Sequence, residues 1–377
     1  MTNPSYHSVC AWTFNAGKGG FTPSDSRPPW SGDILDTVGK IKLIEEKIKP
    51  RLPDHIELGL EVHYNNEYNE SNAEEIAFAL VDAGMWLAMA TPGAHARFAY
   101  GGISSPDPQE RKRAAKFGEA AIRLVYEKMQ KAWHPTVPPS LVLWNGSFGY
   151  DLASPVIRDM YQNLKKEIAG LCRLEQELGG RLPMTIEPKP NEGHPAMLLP
   201  TVASTIVFWH RLEKEYQIDI KNKGVNKEFG HSEMIGLDHV YDTVEEIDNQ
   251  MLLHMHVNSQ GYNDGLIMGG PGKYDIDHGA RINGMNVAIA GLIQQAEYDR
   301  WKGHDMQVRA YDNEEQGIDR VIRSILSWEA CEKAAKEVDF QSLSTAMEKR
   351  ETGKAEDIMR GAVANAYQIF DNIYQKQ

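Results

Sequence analysis

LPMTIEPKPNE, residues 182–192, begins as an apolar run and ends in charge. Its first half reads as a buried strand. Its second half sets Glu187 and Lys189 two residues apart, fenced by Pro188 and Pro190. Both charges are costly to take out of water, so their place at the end of a buried strand asks for a partner. Such an ending matters most in a barrel of parallel strands, where the active site forms at the carboxyl ends.

Working outward, seven further runs read as strands: SVCAWTF (8–14), IELGLEVHY (56–64), MWLAMAT (85–91), SLVLWNG (140–146), a weaker IDIKNKGVN (218–226), LLHMHVN (252–258) and DMQVRAY (305–311). Between them lie stretches with apolar residues at three-and-four spacing: 73–83, 107–131, 155–178, 199–216 and 288–301. Ser or Asp stands just before Pro in SSPDPQE and ASPVIRD, which marks helix starts. Eight strand-then-helix units predict an α/β fold, a (β/α)8 TIM barrel rather than an open doubly wound sheet. The absence of a GxGxxG after any strand agrees. The barrel is expected over residues 1–328. Residues 329–377 form a helical C-terminal extension whose sparse apolar residues predict packing on a neighbouring subunit, with wrapping on its own barrel as the alternative.

Composition excludes several classes. A net charge of −13 repels nucleic acid and anionic lipid, and the RKR at 111–113 reads as a solvated helix face. Hydrophobic residues make up 41% and charged residues 25%, ordinary for a globular protein. Cys10, Cys172 and Cys331 share no metal-type spacing and read as free thiols of a reducing compartment, so a cytoplasmic location is expected. The N-terminus lacks a signal pattern and no apolar run reaches spanning length.

Polar residues at the strand ends are concentrated: His63, His95, Trp144, Asn145, Glu187, Lys189, Glu228, His231, His254, His256, Asn258, Gln307 and Arg309. Two glutamates and a histidine from successive strands can hold one divalent cation, which offsets the cost of burying both carboxylates. Singly, each has a plainer reading: a strand-end Glu pairs in salt bridges, and one of His254 and His256 can be a satisfied core residue. Tryptophans such as Trp12 and Trp144 are usually core, although a ring at a barrel mouth can floor a sugar pocket.

IEPKPNE (186–192), LLPT (198–201), GVNKEFGHSEM (224–234) and LHMHVNSQ (253–260) closely resemble the ligand-bearing segments of xylose isomerase. AWTF near the start, ATPGAHARFAYGGISSPD (90–107) and LVLWNGSFGYD (141–151) extend the similarity over roughly residues 8–325 in the same order. The resemblance implies a xylose isomerase-like barrel binding one or two divalent ions per subunit, Mg²⁺, Mn²⁺ or Co²⁺. It makes Glu187 and Glu228 ligands of a substrate-holding metal, Lys189 the group that polarises a substrate oxygen, and His231 a ligand of a second metal. His63 matches a ring-opening histidine and Trp144 a tryptophan that shields the reacting carbons. Trp12, His95, Trp144 and Asn258 are expected to contact substrate, and Phe21 to match an aromatic that crosses between subunits. A homodimer or homotetramer is implied.

The chain also departs from the family. His256 and Gln307 stand where aspartate ligands are expected; Asp305 or Asp312 can replace Gln307 after a local shift. Second-metal aspartates fall on Asp264 or on Asp275 and Asp277. Asn66 replaces the aspartate that orients the histidine, which leaves the His63 tautomer less controlled, and Gly93 replaces an aromatic, which widens the pocket. The expected activity is an intramolecular oxidoreductase, a metal-dependent aldose–ketose isomerase of a sugar or sugar derivative. The alternatives are an epimerase or lyase of an oxidised sugar or glycoside at the same metal, and a catalytically silent sugar-binding barrel.

Overall fold

Eight parallel strands close into a barrel: β1 (Ser5–Cys10), β2 (Ile56–His63), β3 (Trp86–Thr91), β4 (Ser140–Trp144), β5 (Met184–Glu187), β6 (Lys223–Glu228), β7 (Leu252–His256) and β8 (Lys302–His304). The computed structural model describes residues 4–14, 30, 35–92, 97–144, 146, 148–191, 194–260, 277–309 and 311–376. Each strand pairs with its predecessor, and β8 returns to β1 with His7 opposite Lys302 and Val9 opposite His304. The pleat sorts side chains by period two. In β2, Leu58, Leu60 and Val62 point outward into the main core under the helices, while Gly59, Glu61 and His63 belong to the other face.

The helical layer follows the three-and-four pattern. Helix α1 is Thr37–Leu43, α2 Ala73–Asp82, α3 Pro108–Glu127, α4 Ile157–Glu177, α5 Val202–Tyr216, α6 Phe229–Met234, α7 His239–Asp248 and α8 Gly284–Gln295. Pro108 opens α3 behind Asp107, whose carboxylate accepts the Gln109 N–H. Thr201 and Ser204 form a reciprocal capping box at α5.

Two expectations change. The eighth strand is Lys302–His304, and residues 305–309 are irregular, so the strand ends before the DMQVRAY run expected to form it. Gly303 is the reason the pattern is obscure. It sits at the centre of a three-residue strand, and a Cβ there would lie 2.2 Å from Glu61 Oε1 and 2.6 Å from His256 Cδ2, inside the barrel. The second change concerns the C-terminus. Helix α9 (Glu314–Lys336) runs through the expected boundary at 328, and after α10 (Phe340–Glu348) helix α11 (Thr352–Tyr374) lies on the chain's own α9 and α8. Ala362 and Ala366 of α11 meet Ala330 and Ala334 of α9. Small residues four apart on facing helices let the backbones approach, so little apolar area is needed. Tyr367 also donates to Ile282 O at 3.2 Å.

Among the described residues no helix is long and apolar enough to cross a membrane.

Candidate metal centre

Four neighbouring staves supply the centre. Glu187 ends β5, Glu228 ends β6, His256 ends β7 and Asp305 follows β8 by one residue. Asp305 lies one pleat beyond the inward Gly303, which aims it into the barrel. Around His256 Nδ1 stand Glu228 Oε2 at 3.2 Å, Glu187 Oε2 at 3.3 Å and Asp305 Oδ2 at 3.6 Å. The other ring nitrogen, Nε2, donates to Glu61 Oε2 at 2.8 Å. That bond places a proton on Nε2, because a carboxylate only accepts.

The donors match a divalent ion in chemistry and spacing. Oxygen and imidazole donors held 2.0–2.2 Å from one ion stand roughly 3.0–3.5 Å apart, close to the separations found. Asn226 donates through Nδ2 to Glu187, and its buried Oδ1 has no hydrogen-bond partner among the described residues. Burial first, then the charge of Glu228, pushes the Glu187 carboxyl well above the usual range. Burial alone would lower His256, but Glu61, Glu187 and Glu228 overturn this and push its pKa well above the ordinary value. An anionic group this enclosed therefore holds protons that a dication can displace. The sign follows: a bound ion needs both groups deprotonated, so affinity rises with pH. Mn²⁺ affinity is expected to rise with pH and to level off once both groups are deprotonated, with calorimetry in buffers of different ionisation enthalpy reading the released protons.

His231, on α6, donates from Nδ1 to Pro188 O at 3.0 Å, because a carbonyl can only accept. Its Nε2 then faces Glu228 Oε1 at 3.0 Å. The Asn258 amide bonds three protein groups. Nδ2 donates to Glu228 Oε1 at 2.9 Å and to Asp277 Oδ1 at 3.1 Å, and Oδ1 accepts the Gly230 N–H. It tethers Glu228. Lys189 is buried, its ammonium 4.9 Å from the Trp144 ring centroid. Trp12 donates from Nε1 to Asp305 Oδ1 at 2.8 Å and packs on His63 at 4.1 Å between centroids.

Asn66 leaves His63 less adrift than the sequence implies. Glu67 accepts from His63 Nδ1 at 3.1 Å and from its backbone N–H at 2.9 Å. The carboxylate has moved one residue along the HYNNE turn. Glu67→Gln is expected to lower kcat about ten-fold while leaving metal affinity unchanged, measured by steady-state kinetics beside Mn²⁺ titration.

Of the three residues weighed for the fourth position, the structure brings Asp305 to His256. Gln307 is half-buried beyond the strand, its backbone N–H 3.4 Å from Asp277 O, while Asp305 is the side chain against His256. Asp312 is engaged elsewhere, paired in fork geometry with Arg320 at 2.6 and 2.9 Å. His254 is the core histidine, bonded to Ser140 Oγ and Glu61 Oε1, each at 3.1 Å. Glu61 itself went unread in the sequence, although a glutamate inside the apolar IELGLEVHY run was a visible signal. His95, Phe21, Gly93, Asn145, Asp264 and Asp275 lie outside the described residues.

No family model matches the chain. Among solved structures it is similar to a putative xylose isomerase from Rhodospirillum rubrum, at 14% identity and a TM-score of 0.59 over 86% of this chain and 98% of that one. It is similar to an L-ribulose 3-epimerase at 12% identity and a TM-score of 0.57, over 88% and 97% of the two chains. The 3-keto-D-glucoside 4-epimerase YcjR from E. coli matches at 15% identity and a TM-score of 0.52, over 85% and 98%. At these identities the likeness is one of fold, a closed (β/α)8 barrel.

Proposed function

We propose that this chain is a divalent-metal-dependent sugar isomerase or epimerase that moves a proton at a carbon next to a carbonyl. One observation carries the reading: three carboxylates from separate staves surround a single imidazole nitrogen in a buried pocket. The names of the similar structures, an L-ribulose 3-epimerase and a 3-keto-D-glucoside 4-epimerase among them, support a sugar or sugar derivative as substrate.

Glu187, Glu228, His256 and Asp305 would hold the ion, and their oxygen-rich set suits Mg²⁺, Mn²⁺ or Co²⁺. A bound ion supplies Lewis acidity that polarises the substrate carbonyl. Glu187 and Asp305 come from the outer two of the four staves, so they address a substrate from opposite sides. One takes the proton from the carbon next to the carbonyl, and the other returns a proton to the opposite face. Lys189 donates to the oxygen on which negative charge gathers. His63, oriented by Glu67, accepts from a substrate hydroxyl, while the Trp12 and Trp144 rings exclude water from the reacting carbons. The enzyme works as a homodimer or homotetramer in the cytoplasm.

A second reading, aldose–ketose exchange by hydride shift, is favoured by His231, whose Nε2 faces the outer oxygen of Glu228 at 3.0 Å. That pair, completed by an aspartate, would hold a second ion. Turnover of ketohexoses and keto-glycosides by Mn²⁺-loaded protein in D₂O separates the two by NMR. Proton transfer predicts solvent deuterium at the altered carbon. Product without deuterium contradicts it in favour of the hydride route, and inertness of the loaded protein toward all these sugars contradicts both.

A further inference from the structure

Beneath the metal centre the barrel is filled with polar groups rather than the usual branched aliphatic layers. Glu61 lies at their middle, fully buried, on a stave separated from β7 by β1 and β8. Its contacts with β7 therefore cross the barrel interior. Oε2 accepts from His256 Nε2 at 2.8 Å and from Cys10 Sγ at 3.5 Å, and Oε1 accepts from Ser8 Oγ at 2.6 Å and His254 Nε2 at 3.1 Å. His254 in turn faces Ser140 Oγ at 3.1 Å through Nδ1. Gly303 makes the room, since a Cβ there would collide with both Glu61 and His256.

We infer that Glu61 is a positioning residue that locks His256 as an Nδ1 metal ligand, so that the polar interior is a pedestal for the ion. The inference rests on the reading that Glu187, Glu228, His256 and Asp305 hold a divalent ion. A ring rotated about its axis, or protonated on the other nitrogen, presents an N–H to the site instead of a lone pair. Glu61 blocks that alternative by demanding the proton at Nε2. A carboxylate hydrogen-bonded to the far nitrogen of a ligating histidine also raises its basicity.

The four donors onto Glu61 make one substitution informative. Glutamine at 61 has a single acceptor oxygen and an NH₂ that must oppose one pair of donors, so one histidine is forced toward the other tautomer. In Glu61→Gln, the Mn²⁺ Kd measured by calorimetry is expected to rise about 10- to 100-fold, and the Co²⁺ absorption spectrum to change shape. Ser8→Ala removes a donor from the other oxygen and is expected to leave both readouts as in the wild type. Equal Mn²⁺ affinity and an unchanged Co²⁺ spectrum in Glu61→Gln overturn the inference, even if the variant melts at a lower temperature. Failure of the wild type to take up Mn²⁺ overturns the metal reading itself, a separate result. If Glu61→Gln does not fold, the tautomer is read directly from ¹⁵N–¹H correlations of histidine-labelled, Mg²⁺-loaded wild type. A proton on His256 Nε2 supports the pedestal, and a proton on Nδ1 overturns it.

Discussion

Glu228→Gln is expected to weaken divalent-metal binding by at least about 100-fold, beyond the loss typical for outer groups, and to remove turnover. Glu228 is nearly fully buried and stands between two imidazoles, with Oε2 3.2 Å from His256 Nδ1 and Oε1 3.0 Å from His231 Nε2. Glutamine keeps the shape but replaces one oxygen by an N–H donor and deletes a charge. The metal-free fold is expected to survive, because one carboxylate fewer relieves repulsion against Glu187. Melting curves separate these effects. With free ion at 100 times Kd, the wild type is expected to gain about 2.7 kcal/mol, on the order of 3 °C for a chain this long. The variant, at the same ion concentration, gains at most about 0.4 kcal/mol. An ion-induced rise preserved in Glu228→Gln contradicts the assignment.

Asp305→Asn carries the second large effect, a fall in kcat of about 10² to 10⁴, and Gln307→Ala is its control. Asp305 is positioned by the Trp12 indole N–H at 2.8 Å and faces His256 at 3.6 Å. Asparagine can keep the indole bond through its carbonyl oxygen, so the side chain stays in place while the charge and the proton-transfer oxygen go. Gln307→Ala touches neither and is expected to leave kcat within about two-fold of wild type, the scale of a surface substitution. Kinetics of the two variants side by side check this. The reverse pattern restores Gln307 to the centre.

What could be read from the chain divides along physical lines. Glu187 and His256 stand out near the ends of clear apolar runs and Glu228 follows a weaker run by two residues, and β5, β6 and β7 form at or near those runs. Asp305 entered only as an alternative to Gln307, because the sequence conceals β8. A three-residue strand of Lys302, Gly303 and His304 has no apolar pattern, whereas the irregular DMQVRAY beside it imitates one. Glu67 and Glu61 were missed for different reasons. The first depends on a turn that folds residue 67 back on His63, and the second on contacts across the barrel between staves that are not neighbours. Pairings of that kind leave no periodic trace in sequence. That the C-terminal helix seats on its own chain was the alternative reading, because sparse apolar residues hide what alanines four apart permit, a close approach of backbones.

The most direct test is the anomalous scattering of Mn²⁺ in crystals of the loaded protein. The account predicts a strong peak within bonding distance of Glu187, Glu228, His256 Nδ1 and Asp305, with His256 Nε2 still on Glu61. Crystals grown in Mn²⁺ that show no peak there, with these carboxylates bonded only to Lys189 and the neighbouring histidines, contradict it.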